Sequence, residues 1–105
     1  MSEKIKVQLD EDFKKITEKY LANVAGQARA IEGLADQGNF EEILKQTHQL
    51  SGSGSSYGFD FITEIANRID LAAKGRTPAS LKSHLLELVD YLDRLEVSFV
   101  PEDNL

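Results

Sequence analysis

The chain has 105 residues, 41% of them hydrophobic, no cysteine and a formal net charge of −6 at pH 7. That size allows one domain, residues 1–105, with a single modest core, and the missing cysteine excludes disulfides and thiolate metal sites and suits a reducing, cytoplasmic setting. The acidic balance argues against nucleic acid as a partner, since nonspecific binding needs clustered Lys and Arg, and no apolar run resembles a signal peptide or a membrane span.

Residues 1–8 read as a loose leader, and Asp10 is placed to cap the segment that follows. Phe13, Ile16, Tyr20, Leu21, Val24, Ala28, Ile31 and Leu34 then recur at helical spacing, which predicts one long amphipathic helix, with a bend near Gly26, closed by Gln37-Gly38. Asn39 with Glu42 three residues on forms a capping-box-like start for a second helix. Its stripe is Phe40, Ile43, Leu44, Thr47, Leu50, Ser51 and Gly54, and the phase carries it to about Tyr57. Gly58 and Asp60 punctuate the chain. Phe61, Ile62, Ile65, Ala66, Ile69, Ala72 and Ala73 predict a third helix closed by Gly75. Thr77-Pro78 opens a fourth with N-cap and N1 residues in their preferred places. Leu81, Leu85, Leu88, Leu92 and Leu95 form its apolar stripe, widened by Leu86, Val89 and Tyr91, and residues 98–105 read as a tail. No sustained period-two alternation is read, so strands are not expected. Short connections between the helices predict an all-α, antiparallel up-down four-helix bundle with an N-terminal helical extension.

The informative stretch is Thr47-His48-Gln49-Leu50-Ser51-Gly52-Ser53-Gly54-Ser55-Ser56-Tyr57-Gly58-Phe59. Helical phase persists through residues that disfavour a helix, each glycine costing about 1 kcal/mol relative to alanine in a helix interior. Such a conflict between local and global rules marks functional sites. On a helical wheel His48 falls on the flank of the buried stripe, facing outward, with Lys45, Gln49, Gly52 and Ser55 beside it. Gly52, one turn beyond His48, leaves the imidazole on a bare strip that another protein could approach closely. The alternative is a Gly/Ser linker between two helical halves. Against it stand the shortness of the run, the apolar Tyr57 and Phe59 that follow at once, and the surviving phase.

The string His48-x-Leu50-x-Gly52-Ser53-x-x-x-Tyr57-Gly58, on the second major helix of a four-helix domain, resembles the histidine-containing phosphotransfer (HPt) family over almost the whole chain. The resemblance implies a phospho-accepting His48 that takes a phosphoryl group from a receiver-domain aspartate and passes it to another receiver. The partners implied are response-regulator receiver domains, including those of a hybrid sensor kinase. Family members often carry Lys three residues after the histidine, and here that place is Ser51; Lys45, one turn before His48, is the substitute charge, or else an ordinary solvated lysine. A polar residue on the neighbouring helix often hydrogen-bonds the imidazole, and that position is Asp70. Lys74 stands where some members have a basic residue facing the site. The bland alternative for these two is a surface ion pair worth ~0.3 kcal/mol.

Phosphoryl transfer rests on in-line positioning and charge compensation. With no nucleotide-binding loop and no acidic metal cluster, the chain is expected to be a phosphocarrier without autokinase activity and without a cofactor, Mg²⁺ belonging to the receiver. His84 is the rival acceptor, but it lacks a stripped surface, and the two histidines do not make a metal site by spacing. The competing function is a phosphate-independent helical interaction module, which predicts that His48 is dispensable. A Ser/His hydrolase lacks a nucleophile turn and an oxyanion hole. The four stripes can satisfy one another, so a monomer is expected.

Overall fold

The computed structural model describes residues 3–105, so Met1 and Ser2 of the expected leader lie outside it. In chain order it contains β1 (Ile5–Asp10), α1 (Lys14–Asp36), α2 (Phe40–Ser53), α3 (Asp60–Lys74), α4 (Pro78–Arg94) and β2 (Leu95–Val100), with 3-10 turns at Glu11–Phe13, Ser55–Tyr57 and Glu102–Asn104. Of the described residues 76% are helical, the 3-10 turns included.

The helices form where the apolar spacing puts them. α1 buries Thr17, Tyr20, Val24, Ala28, Ile31 and Ala35 at intervals of three and four, running unbroken past Gly26. It stops at Gly38, whose φ of 70° is left-handed. There the Asn39 N–H donates to the Leu34 carbonyl at 2.9 Å and the Gly38 N–H to the Ala35 carbonyl at 3.0 Å, the paired bonds of a Schellman ending. Asn39 Oδ1 accepts the Glu42 N–H at 3.3 Å and so caps α2, with Glu41 and Glu42 set against the positive end of its dipole. Pro78 opens α4 at its first turn, as expected, but Thr77 does not cap it. Its hydroxyl instead donates to the Ala72 carbonyl at 3.1 Å, closing α3.

α1 packs against α2 and α4, and α3 packs against the same two. Ile31, Ile43, Leu50, Phe59, Ile62, Ile65, Ile69, Leu81 and Leu88 fill the centre with almost no exposure. Each buried aliphatic of this size contributes ~1.5–3 kcal/mol. Cross-contacts pair rising numbers on one helix with falling numbers on the next: Thr47 with Asp70 and Ser51 with Asn67, Phe61 with Tyr91 and Arg68 with Glu87. Asp36 at the end of α1 meets Lys82 near the start of α4 at 2.7 Å.

Several expectations are corrected. From Ile5 on, the leader and the helical extension give way to β1, and the first residues of the tail, 98–100, belong to β2. The two strands form a parallel sheet in the register Ile5↔Leu95, Val7↔Val97, Leu9↔Phe99, and residues 101–105 stay exposed beyond it. Ile5, Val7, Leu9, Leu95 and Val97 pack on the helical core, so Leu95 begins a strand rather than ending the α4 stripe. Asp10 closes β1 and, as expected, caps the segment that follows: its carboxylate accepts the Asp12 N–H at 2.9 Å and starts the 3-10 turn that leads into α1. Leu86 and Val89 do not widen the core of α4 but face outward, 69% and 36% exposed. Phe13 and Ile16 are also exposed, and with Leu9, Ser56 and Tyr57 they line an open hollow at the start of α1.

Candidate functional site

The SGSGSS run is ordered, not a linker. α2 continues through Ser53, one turn shorter than expected, and the 3-10 turn Ser55–Tyr57 completes the path to Gly58, whose φ of 88° turns the chain into α3. Local propensity does not hold this end together; α3 does. Thr63 donates its hydroxyl to the Ser51 carbonyl at 3.0 Å and accepts the Ser55 N–H at 2.9 Å, satisfying one backbone group on each side of the break. Ser53 shares a 2.9 Å hydroxyl bond with Tyr20 of α1. Tyr20 in turn stacks on Tyr57 with ring centroids 4.0 Å apart and planes 2° from parallel. Burial pushes the Tyr20 hydroxyl above its ordinary pKa, against the opposing pull of the Ser53 bond.

The glycines of the run serve different ends. Gly54 is buried against α3: a Cβ there would lie 2.6 Å from both the backbone nitrogen and the hydroxyl of Thr63. Gly52 is exposed, and a Cβ there would meet nothing within 4 Å. Among the described residues no packing calls for a glycine at position 52, and the space it leaves is open.

His48 is exposed on α2 and makes no hydrogen bond to the described residues. It lines a shallow hollow together with Leu44, Lys45, Gln49, Asp70 and Lys74. α2 supplies four of these side chains and α3 the other two, so four of the sequence-selected residues gather around His48. Gly52 lies one turn along α2 from it, and Ser55 lies beyond the helix in the 3-10 turn, exposed, its N–H taken by Thr63.

Asp70 stands beside the histidine, but the expected bond to the imidazole is not formed. One carboxylate oxygen accepts the Thr47 hydroxyl at 3.0 Å, and the other faces Lys74 Nζ at 2.9 Å. The helix-spaced pair and a buried donor claim the carboxylate first. Thr47, read only as part of the apolar stripe, is the residue the sequence reading missed. A polar side chain on a buried stripe was itself the signal, because it must find a partner. Lys45 extends into solvent, 3.8 Å from Glu42. Ser51, where the family often has Lys, is partly buried and hydrogen-bonded to Asn67 of α3.

His84 sits elsewhere, on α4, its Nδ1 3.8 Å from Glu87 in a surface network that also holds Arg68 and Glu64. Among the described residues no group of three or more His, Asp and Glu side chains is placed to hold a metal ion. No helix among them is long and apolar enough to cross a membrane.

The outward His48 stands in an open, shallow hollow on an α-helical bundle, one turn from Gly52, rather than in an enclosed pocket. The Hpt domain family model matches residues 15–98, most of the chain, and the protein belongs to that family. Members carry phosphoryl groups on histidine in two-component phosphorelays, are not enzymes of the ordinary kind, and interact with response-regulator receiver domains. No curated protein and no solved structure matches the chain.

Proposed function

We propose that His48 is the phospho-acceptor of a phosphorelay intermediate, taking a phosphoryl group from the aspartate of one receiver domain and delivering it to that of another. The carrying observation is the pairing of a solvent-facing, unbonded imidazole with an exposed Gly52 whose missing side chain no packing among the described residues requires. A neutral imidazole needs only a free lone pair in line with phosphorus. As the N–P bond forms, the P–O bond to the receiver aspartate breaks and its carboxylate leaves with the electron pair. The ring is positively charged until its other N–H releases a proton to water. A phosphoramidate and an acyl phosphate are of comparable energy, so the step runs in either direction.

In this reading the four helices run up and down antiparallel, as the cross-contacts between them support, and residues 1–105 act as one domain. Lys45 and Lys74 supply positive charge at the hollow, while Gln49, Gly52 and Ser55 face the docked partner. Mg²⁺ and its acidic pocket reside on the receiver, the carrier has no autokinase activity, and it works as a cytoplasmic monomer, with hybrid sensor kinases among its donors.

The test is transfer from a panel of phosphorylated receiver domains to wild type, His48→Gln and His84→Gln. Acid-labile, base-stable label on wild type and His84→Gln but not on His48→Gln is the expected outcome. Label that survives in His48→Gln, or a folded wild type that no receiver labels but that still binds receivers, would favour a docking module that needs no phosphate.

A further inference from the structure

The phosphoryl group would bring negative charge to His48, yet α2 offers it little. Position 51 is a serine turned to Asn67, and Lys45 is 76% exposed with Glu42 at 3.8 Å. The better-held cation is Lys74, which reaches the hollow from α3. What holds it is a chain of contacts that begins in the core. Thr47 is 0% exposed, and its hydroxyl lies 3.0 Å from Asp70 Oδ1 and 3.2 Å from the Leu44 carbonyl. A hydroxyl has one proton, and the carboxylate takes the stronger, charge-assisted bond. With that oxygen fixed from below, the second oxygen of Asp70 faces Lys74 at 2.9 Å.

Accepting His48 as the phospho-acceptor, we infer that Thr47 is a positioning residue: through Asp70 it stations Lys74 at the rim of the His48 hollow, where Lys74 neutralises the arriving phosphoryl group. An exposed lysine tethered only by an i,i+4 carboxylate would sample many rotamers. Anchoring that carboxylate on a buried hydroxyl removes much of this freedom before the donor arrives, which is preorganisation of the charge. The buried hydroxyl is then kept for the site it supports, since valine would fill the same volume without a polar group to satisfy.

The probe is phosphoramidate, a small anionic donor that needs no docking surface, with phosphohistidine read by phosphorus NMR. The intact chain and its Thr47→Val, Thr47→Ser, Lys74→Met and Thr47→Val/Lys74→Met variants are compared for initial labelling rate at low and high salt. Lys74→Met and Thr47→Val should each slow labelling about twofold to fivefold at low salt, the range of one partly exposed charge contact. Both should flatten the salt dependence, which a purely structural role for Thr47 would leave alone. Thr47→Ser should restore the wild-type rate, and the double variant should be no slower than Lys74→Met alone. An unchanged rate in a folded Lys74→Met, whose side chain is 63% exposed, overturns the inference even if Thr47→Val fails to fold. So does a Thr47→Val effect that adds in full to that of Lys74→Met. A wild type that phosphoramidate leaves unlabelled on His48 refutes the acceptor reading itself, and this inference with it.

Discussion

Gly52 and Gly54 are two positions apart and answer to different constraints. Gly54→Ala drives a methyl into the backbone and hydroxyl of Thr63, 2.6 Å away, and should cost ~1–3 kcal/mol in urea unfolding, the usual penalty for overpacking. Gly52→Ala meets no atom within 4 Å and should leave stability equal or raise it by about 0.5–1 kcal/mol, since alanine is the better helix former. A longer side chain there separates docking from chemistry. Gly52→Gln should slow transfer from receiver domains about tenfold or more, ~1.4 kcal/mol of barrier, while labelling of His48 by phosphoramidate continues at the wild-type rate. Equal losses with both donors would mean that Gly52 serves the imidazole rather than the partner. At this scale the shared face of His48 and Gly52 was legible from helical phase, whereas Asp70 and Lys74 came only from the resemblance to the HPt family, since phase along one helix does not say which residues of another stand opposite. The bonding of Asp70 was not legible: which donor wins a carboxylate depends on how two helices abut, and Thr47 was hidden by sitting on the stripe it resembles.

The end of α2 is a helix by tertiary decree. Thr63 bonds the Ser51 carbonyl and the Ser55 N–H from the neighbouring helix, so Thr63→Val, nearly isosteric, strips both supports at once. We expect ~1–3 kcal/mol of destabilisation, the cost of leaving backbone groups unsatisfied, and faster hydrogen exchange in residues 51–57 than in α3. Exchange that is unaltered there would show that the helix carries itself. The four helices were readable because each has a long stripe of period 3.6. The strands were missed although IKVQLD and LEVSFV do alternate, with Ile5, Val7 and Leu9 inward and Lys6 and Gln8 outward. Six residues of alternation are weak evidence by themselves. Leu95 also stays in helical phase with Leu88 and Leu92, and the event that makes each segment a strand is its pairing with the other.

For the molecule as a whole, two tyrosines couple stability to pH. Burial raises Tyr20 and Tyr91 above the ordinary value of 10.0, Tyr91 with further help from Asp60 and Tyr20. Below pH 10 both are neutral folded and unfolded, and their burial costs nothing in protons. Above it the unfolded chain loses protons that the folded one retains, so stability must fall as pH rises through that range. Urea midpoints should therefore drop between pH 9 and pH 11, conditions chosen to straddle the unfolded tyrosine pKa of about 10. Tyr20→Phe, though weaker at neutral pH for want of the Ser53 bond, should lose less over the interval. The parallel ribbon bears on how the molecule comes together in time. The four helices pack largely on neighbours in sequence, whereas β1 and β2 unite Ile5 with Leu95, and such non-local pairing must wait until loop closure has been achieved by other contacts. The ribbon should thus form after the rate-limiting barrier. Val97→Ala should steepen nothing on the refolding limb of a chevron yet speed unfolding, making the clasp a determinant of how long the folded carrier lasts rather than of how fast it is made.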